Sequence, residues 1–486
     1  MQFKNLRKVA AMGFLSSALV LSAALTAGAE PTGATTKNLS TNFTLINLET
    51  GSNGGTIKYY KADGTTWRAD ESFTMAAGGD QVIKRQYDPA AGLTSGSGSV
   101  VVSASGRLGA LVQILSAYPG STAVPTSGAY SGAVEGAANA NVPLVIRRLN
   151  SASGLVNSQI IVQNTSNVPI TADIKLVNPD GTTRFTKSGV ALEIGISFTY
   201  DLDNESASNI PDSWFGSAAV STATASGALT VVSNLFSGAH ALQTYNAFTT
   251  KGQVWLAPLF TVRLANTLST PISVQNLSAT AIPVDGIVVS CIKDAASPGA
   301  NFTMKNVTAV GPTATYNFNP VTDQTMPTGF FGSCRIETTG FDTVAFVQMR
   351  VVSGDQAGAY EAIKGDGVNK KVSFPLYAKR LANGLATAIT IQNLNKDAAA
   401  NVSLAYKGSA GLATNCTATF AATIPAGGSL IQNHRTPAGV TQIGDACFGT
   451  LVVTSSDQPI DGFVQLTDVS GKPGDTFQAH DGFATP

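Results

Sequence analysis

At 486 residues the chain is too long for one ordinary sandwich and suits three or four domains. Only 12% of residues are charged, and 30 basic residues balance 30 acidic ones. That balance leaves no basic footprint for nucleic acid, whereas the 43% hydrophobic fraction is ample for packed cores.

Residues 1–29 have the layout of a secretory signal peptide. Lys4, Arg7 and Lys8 are followed by an apolar run from Val9 to Leu25 and by the small residues Ala27, Gly28 and Ala29. The flank Glu-Pro-Thr-Gly holds no basic stop-transfer cluster, and no cysteine follows the run, so neither a transmembrane nor a lipid anchor is expected. No second apolar span of about 20 residues occurs. The mature chain is expected outside the cell, secreted or held at its surface.

From there the chain repeats itself. Asn47, Asn164, Asn276 and Asn393 each close an apolar alternating stretch, 117, 112 and 117 residues apart. Phe215-Gly216, Phe331-Gly332 and Phe448-Gly449 recur at 116 and 117, with GSGSVVVS in that place in the first unit. Tyr130, Tyr245, Tyr360 and His480 mark the end of each unit. These landmarks predict four modules, 30–138, 139–250, 251–368 and 369–486, joined by the Lys/Gly-rich segments TTKGQ and KGDGVNKK as linkers.

Within a module the pattern is that of strands. The stretches before Asn276 and Asn393 alternate with period two, and the β-branched runs Val284–Val289 and Val402–Leu404 and the stretches Val344–Val352 and Ile460–Asp468 supply further strands. Asp63-Gly64 and Asp180-Gly181 lie between such runs and read as hairpin turns. Six or seven short strands in about 110 residues describe an all-β fold of four tandem immunoglobulin-like β-sandwich modules. The first is atypical: the place of its leading strand, 21 residues before Asn47, falls inside the leader, so that edge strand is missing or short. An unpaired edge there would invite strand addition by another chain.

The repeated polar residues are read as structural. Asn47, Asn164, Asn276 and Asn393 end a strand, where an Asn side chain bonds the backbone two residues on; the alternative is a repeated ligand site. Arg148, Arg263 and Arg380, five residues after Pro143, Pro258 and Pro375, are read as single exposed charges on edge strands, with an anionic polymer as the alternative partner. Cys291 with Cys334, and Cys416 with Cys447, would form disulfides within modules, rather than a zinc site, since no Cys-x-x-Cys or histidine cluster accompanies them.

Catalytic signals are lacking. His240, His434 and His480 lie apart in sequence, and no zinc-protease, phosphate-loop or nucleophile-elbow motif occurs. The acidic run Asp201–Glu205 lacks the spacing of a calcium loop and reads as a solvated loop. No cofactor or metal is expected, and the sequons at Asn164, Asn276 and Asn401 carry little weight.

The tandem Pro-Leu-x-x-x-Arg-Leu, Val/Ile-Gln-Asn and Phe-Gly-Ser texts resemble secreted bacterial surface proteins built from repeated immunoglobulin-like domains. The resemblance implies a non-enzymatic structural or adhesive protein on the exterior of the bacterial envelope, with other copies of itself or cell-envelope components as partners. The alternative is an extracellular polysaccharide-binding array, with Trp67, Trp214 and Trp255 as stacking residues.

Overall fold

The computed structural model describes residues 17–21, as backbone, and 39–485, apart from 78–80, 89–92, 94–95, 117–124, 134, 152–153, 239–240, 352–355, 410–411, 413 and 472–473. The chain is all-β, folded as paired antiparallel sheets. Among the described residues no helix is long and apolar enough to cross a membrane.

The second module shows the plan. Its eight main strands are Asn139–Arg147, Gly154–Asn164, Ile170–Val177, Thr183–Leu192, Ser197–Asp201, Trp214–Thr222, Leu229–Ser237 and Ala241–Asn246. The fourth, third, sixth and first form one sheet; the fifth, second, seventh and eighth form the other, and all four modules repeat this order. An immunoglobulin sandwich pairs the first strand with the second and the seventh with the sixth. Here those strands have changed places: the first lies on the sixth and the seventh on the second. The second–fifth and third–sixth ladders are those of the immunoglobulin plan.

The two sheets differ in burial for a reason the sequence carries. Strand Ile170–Val177 alternates, with Ile170, Ala172, Ile174 and Leu176 inside and Thr171, Asp173 and Lys175 facing water. Strand Gly154–Asn164 is buried on both faces from Val156 onward, because its outer face meets another module. The run Val284–Val289 gives a strand only from Val288, since Asp285 takes a positive φ of 62° in a turn. Gly64 and Gly181, with φ of 87° and 89°, hold the hairpin turns.

The modules close into a ring. The eighth strands, Ser127–Ser131, Ala241–Asn246, Gln356–Glu361 and Gln478–Asp481, each pack against those of both neighbouring modules, and the last returns to the first. Tyr245 stacks on Phe346 of the next module at 3.8 Å between centroids, and Tyr360 on Phe463 at 4.1 Å. Each pair adds about 1 kcal/mol beyond its burial. One apolar core runs from Ala140 through Phe346 to Phe463, and the first module's core takes in Ile161, Val232 and Leu242 of the second. Phe483 against Ile46 and Leu48 closes the circle.

The segments read as linkers are bound into this ring. Gly252 exchanges backbone hydrogen bonds of 2.7 and 3.0 Å with Thr343, while Asn369 and Lys370 accept from Ile460 and Ser455 at 2.9 and 2.7 Å. The connections are too short and too well paired to act as tethers.

The leading strand of the first module is short, five residues against nine in the second, and falls within the leader. Ser17–Leu21, from the leader, lies antiparallel on Gly98–Ala104, with Leu21 opposite Val100 and Ser17 opposite Ala104.

Candidate functional site

The landmark residues meet at the joints between modules. Gln163 Nε2 donates to the carbonyl of Gly195 at 3.1 Å, and that same oxygen accepts from Ser99 of the preceding module. Thr313 accepts likewise from Gln275, at 3.1 Å, and from Ser217, at 2.6 Å. Gly427 accepts from Gln392, at 3.1 Å, and from Ser333, at 3.0 Å. One carbonyl thus ties two modules together, three times over. At the fourth joint the corresponding turn, 78–80, lies outside the described residues; there Gln81 donates to the carbonyl of Pro375.

The neighbouring asparagines hold the turns that present those carbonyls. Asn276 Nδ2 donates to Thr280, Val310 and Gly311, and its Oδ1 accepts from the amide of Ser278 at 2.9 Å. Asn164 and Asn393 repeat this arrangement, and Asn47 keeps its core, with Gly51 and Ala76 as acceptors and Glu49 as donor. Asn164 and Asn276 are buried with their amides occupied, which removes both as glycan acceptors. The Phe-Gly glycine has its own cause. A Cβ on Gly216, Gly332 or Gly449 would lie 2.0–2.1 Å from a carbonyl of the adjoining strand, and Gly98 meets Tyr60 in the same way.

Arg148, Arg263 and Arg380 are not lone charges on an exposed edge. Each takes a positive φ, 47°, 44° and 47°, at the end of the leading strand, which turns its side chain back over the loop before the Phe-Gly strand. Arg263 donates to the carbonyls of Pro320, Asp323 and Met326. Arg380 pairs with Asp445, and Arg148 with Asp203. The prolines before them sit at β-bulges, where a missing amide is tolerated. The run Asp201–Glu205 is likewise engaged: Asp201 accepts from Asn157 and Gln159 at 3.0 and 2.9 Å, and Asp203 is buried.

Two constellations lie at the ring centre, neither visible in the sequence pattern. Asp475 is fully buried and accepts the amides of Leu242, Ala357 and Phe477, while its own amide donates to Pro125, so four modules meet on one residue. The last residues of the eighth strands form a circuit. Ser131 donates to the carbonyl of Asp481 at 3.0 Å, Asn246 donates to Ser131 at 2.8 Å and to Glu361, and Glu361 shares a hydrogen bond with Asp481. Burial, then the facing Glu361, pushes the Asp481 carboxyl well above the usual range. Burial pushes nearby Asp461 up to about 7. No group of three or more His, Cys, Asp or Glu residues able to hold a metal occurs among the described residues.

The remaining candidates are dispersed. His434 is sealed between Thr387 and Tyr406 at 2.9 and 3.0 Å, and burial holds its imidazole down to about 3. His480 is buried at the axis, held down to about 4, and His240 lies outside the described residues. Cys291 is bonded to Cys334 on the adjacent strand, and Cys416 to Cys447. Trp214 and Trp255 are buried, their indoles donating to Asn178 and Thr343. Trp67 lines a cleft of about 180 Å³ in the first module with Tyr59, Arg68, Glu71 and Lys84.

No protein-family model matches the sequence, and no curated protein does. Among solved structures, the chain aligns with one described as biofilm associated protein, BSP domain, at 8% identity over 93% of this chain and 90% of that one. The TM-score is 0.15.

Proposed function

We propose that the chain is a secreted, non-enzymatic structural or adhesive protein of the cell surface, working as a rigid four-module ring that presents its loops and outer sheets to neighbours. The observation that carries this reading is where the polar residues go. Those that recur with the repeat, Gln163, Gln275 and Gln392 with their asparagines and arginines, are spent on joints and loops, a use suited to a scaffold. The disulfides Cys291–Cys334 and Cys416–Cys447 suit an oxidising exterior. Electron microscopy of the purified chain tests the reading: ordered assemblies, or decoration of envelope fragments, support it, and turnover of a substrate overturns it.

Polysaccharide binding is the second reading, supported by the Trp67 cleft, whose indole, arginine and carboxylate suit a sugar ring. With Trp214 and Trp255 buried, it concerns one site and not a repeated platform. Retention on a polysaccharide column that Trp67→Ala abolishes would favour it.

A further inference from the structure

In three of the four modules the leading strand is enclosed on two sides. Asn139–Arg147 lies on Trp214–Thr222, Val254–Thr261 on Phe331–Glu337, and Lys371–Lys379 on Cys447–Ser455. Along its other edge runs the segment that leaves the eighth strand. Asn141 exchanges backbone bonds with Phe248, Trp255 pairs with Lys364, and Lys371 with Thr485. The leading strand also touches the next module around the ring: Asn139–Arg147 meets Ile272–Asn276 and Thr343–Val351, and Lys371–Lys379 meets Ser40–Asn47 and Leu108–Leu115. It therefore occupies a slot one strand wide at a module joint.

In the first module that slot is bounded by Gly98–Ala104 and by the segment after Ser131, where Gly132 donates to Ala110 as Ala247 donates to Val231 in the second. Ser17–Leu21 fills it in the register of the other three. In register Leu21 and Leu19 are paired with Val100 and Val102, as Val142 and Ala140 are with Ala218 and Val220. Removal of residues 1–29 takes this strand away. Nine residues, 30–38, would remain before Leu39, whereas the third and fourth modules spend 262–267 and 380–384, six and five residues, in crossing between their sheets. The three or four left over are too few to reach Val100 and Val102: Ala257 and Phe374 stand 11 residues before Leu268 and Leu385, and the same place before Leu39 is residue 28, within the leader.

We propose that leader removal uncovers a strand-acceptor slot on the first module, and that the slot takes one extended segment of another polypeptide, antiparallel to Gly98–Ala104, with apolar residues two apart. This rests on the secretion reading. The chemistry of the occupant follows from the filled modules. The two positions are held by Val142 and Ala140, Ala257 and Trp255, and Phe374 and Val372, all buried, so apolar side chains of very different size fit. The acceptor strand GSVVVSA carries no charge and no proline, the residues that ordinarily blunt an edge. Backbone pairing supplies the affinity and the two apolar positions the specificity. A folded second copy is too thick to enter edge-on between the flanking segment and the second module.

The test uses residues 30–486, the same chain retaining its leader, and two synthetic peptides, Leu15–Ala23 and Asn139–Arg147. The proposal expects 30–486 to bind one peptide per chain, with a melting midpoint raised by roughly 5 °C and amide exchange slowed at Val100–Ser103. The leader-retaining chain should bind at least about tenfold more weakly, since its slot is filled. Recovery of folded 30–486 only when a peptide is co-expressed would equally support it. A folded 30–486 that captures neither peptide, or that pairs edge to edge with a second copy and excludes them, overturns it. The N-terminus of the secreted protein is read separately by mass: a start elsewhere than Glu30 bears on the secretion reading, while peptide capture bears on the slot.

Discussion

Ser131 donates its hydroxyl to the carbonyl of Asp481, 350 residues further along the chain, and this 3.0 Å bond joins the last module to the first. With Asn246 and Glu361 it completes a circuit to which each module contributes one residue. The repeat therefore builds a closed body in which every module packs between two neighbours.

Asp475 is the residue on which closure most depends, because it accepts amides from the second and third modules as well as its own. Asp475→Ala leaves three buried amides without an acceptor and should cost about 3 kcal/mol, with Asp475→Asn costing less. Urea unfolding of the two variants checks this, and an unchanged midpoint would remove Asp475 from the account.

The shared carbonyls predict coupling. Ser217→Ala and Gln275→Ala each remove one donor to Thr313. Either alone should cost about 1 kcal/mol, and the pair more than the sum, since the half-buried oxygen then has neither donor. A double-mutant cycle reads the difference directly.

Gly332→Ala should be among the most damaging single changes. Its Cβ would stand 2.1 Å from the carbonyl of Ile292, so the strand must shift or the ladder break. A loss of about 3 kcal/mol or more is expected, against under about 1 for Gly51→Ser, where no atom lies nearby and the backbone φ is not positive. Thermal melts of the two variants compare them.

Two buried groups give opposite pH slopes. Asp461, at about 7 when folded against an ordinary 3.8, contributes no penalty below pH 4, and its stability is lost as pH rises toward 7. His434, at about 3 against an ordinary 6.5, favours the fold above pH 6.5, and that contribution is lost as pH falls toward 3. Asp461→Asn should flatten the alkaline fall, by at most about 4 kcal/mol, and His434→Gln the acid one. Stability measured from pH 4 to 8 for each variant separates the two, and parallel profiles would contradict both assignments.

Much of the strand content was legible, because alternation follows directly from one-sided burial, as in Ile170–Val177. The asparagines and the Phe-Gly pairs stood out in the sequence because the same joint is built again in each module, and the asparagine bond to the amide two residues on was legible, as Asn276 shows with Ser278. Their distant partners were not, the carbonyls of Leu192 and Val310 lying 28 and 34 residues from Asn164 and Asn276. Arg148, Arg263 and Arg380 were misread as edge charges because a positive φ at a strand end leaves no mark on hydrophobic spacing. The exchange of the first and seventh strands was hidden for a similar reason: periodicity tells which face is buried, not which strand lies alongside. Ring closure was hidden most completely: the landmarks Tyr130 and His480 mark two eighth strands, but nothing in their spacing tells that the last packs on the first, where Ser131 bonds Asp481 and Gln113 bonds Gln478.

Small-angle scattering of residues 30–486 in dilute solution tests the closed ring most directly. A compact body of 457 residues should give a radius of gyration of about 23 Å. Four sandwiches strung on flexible connections, end to end, would give roughly 40 Å and an elongated distance distribution, and that result would contradict it.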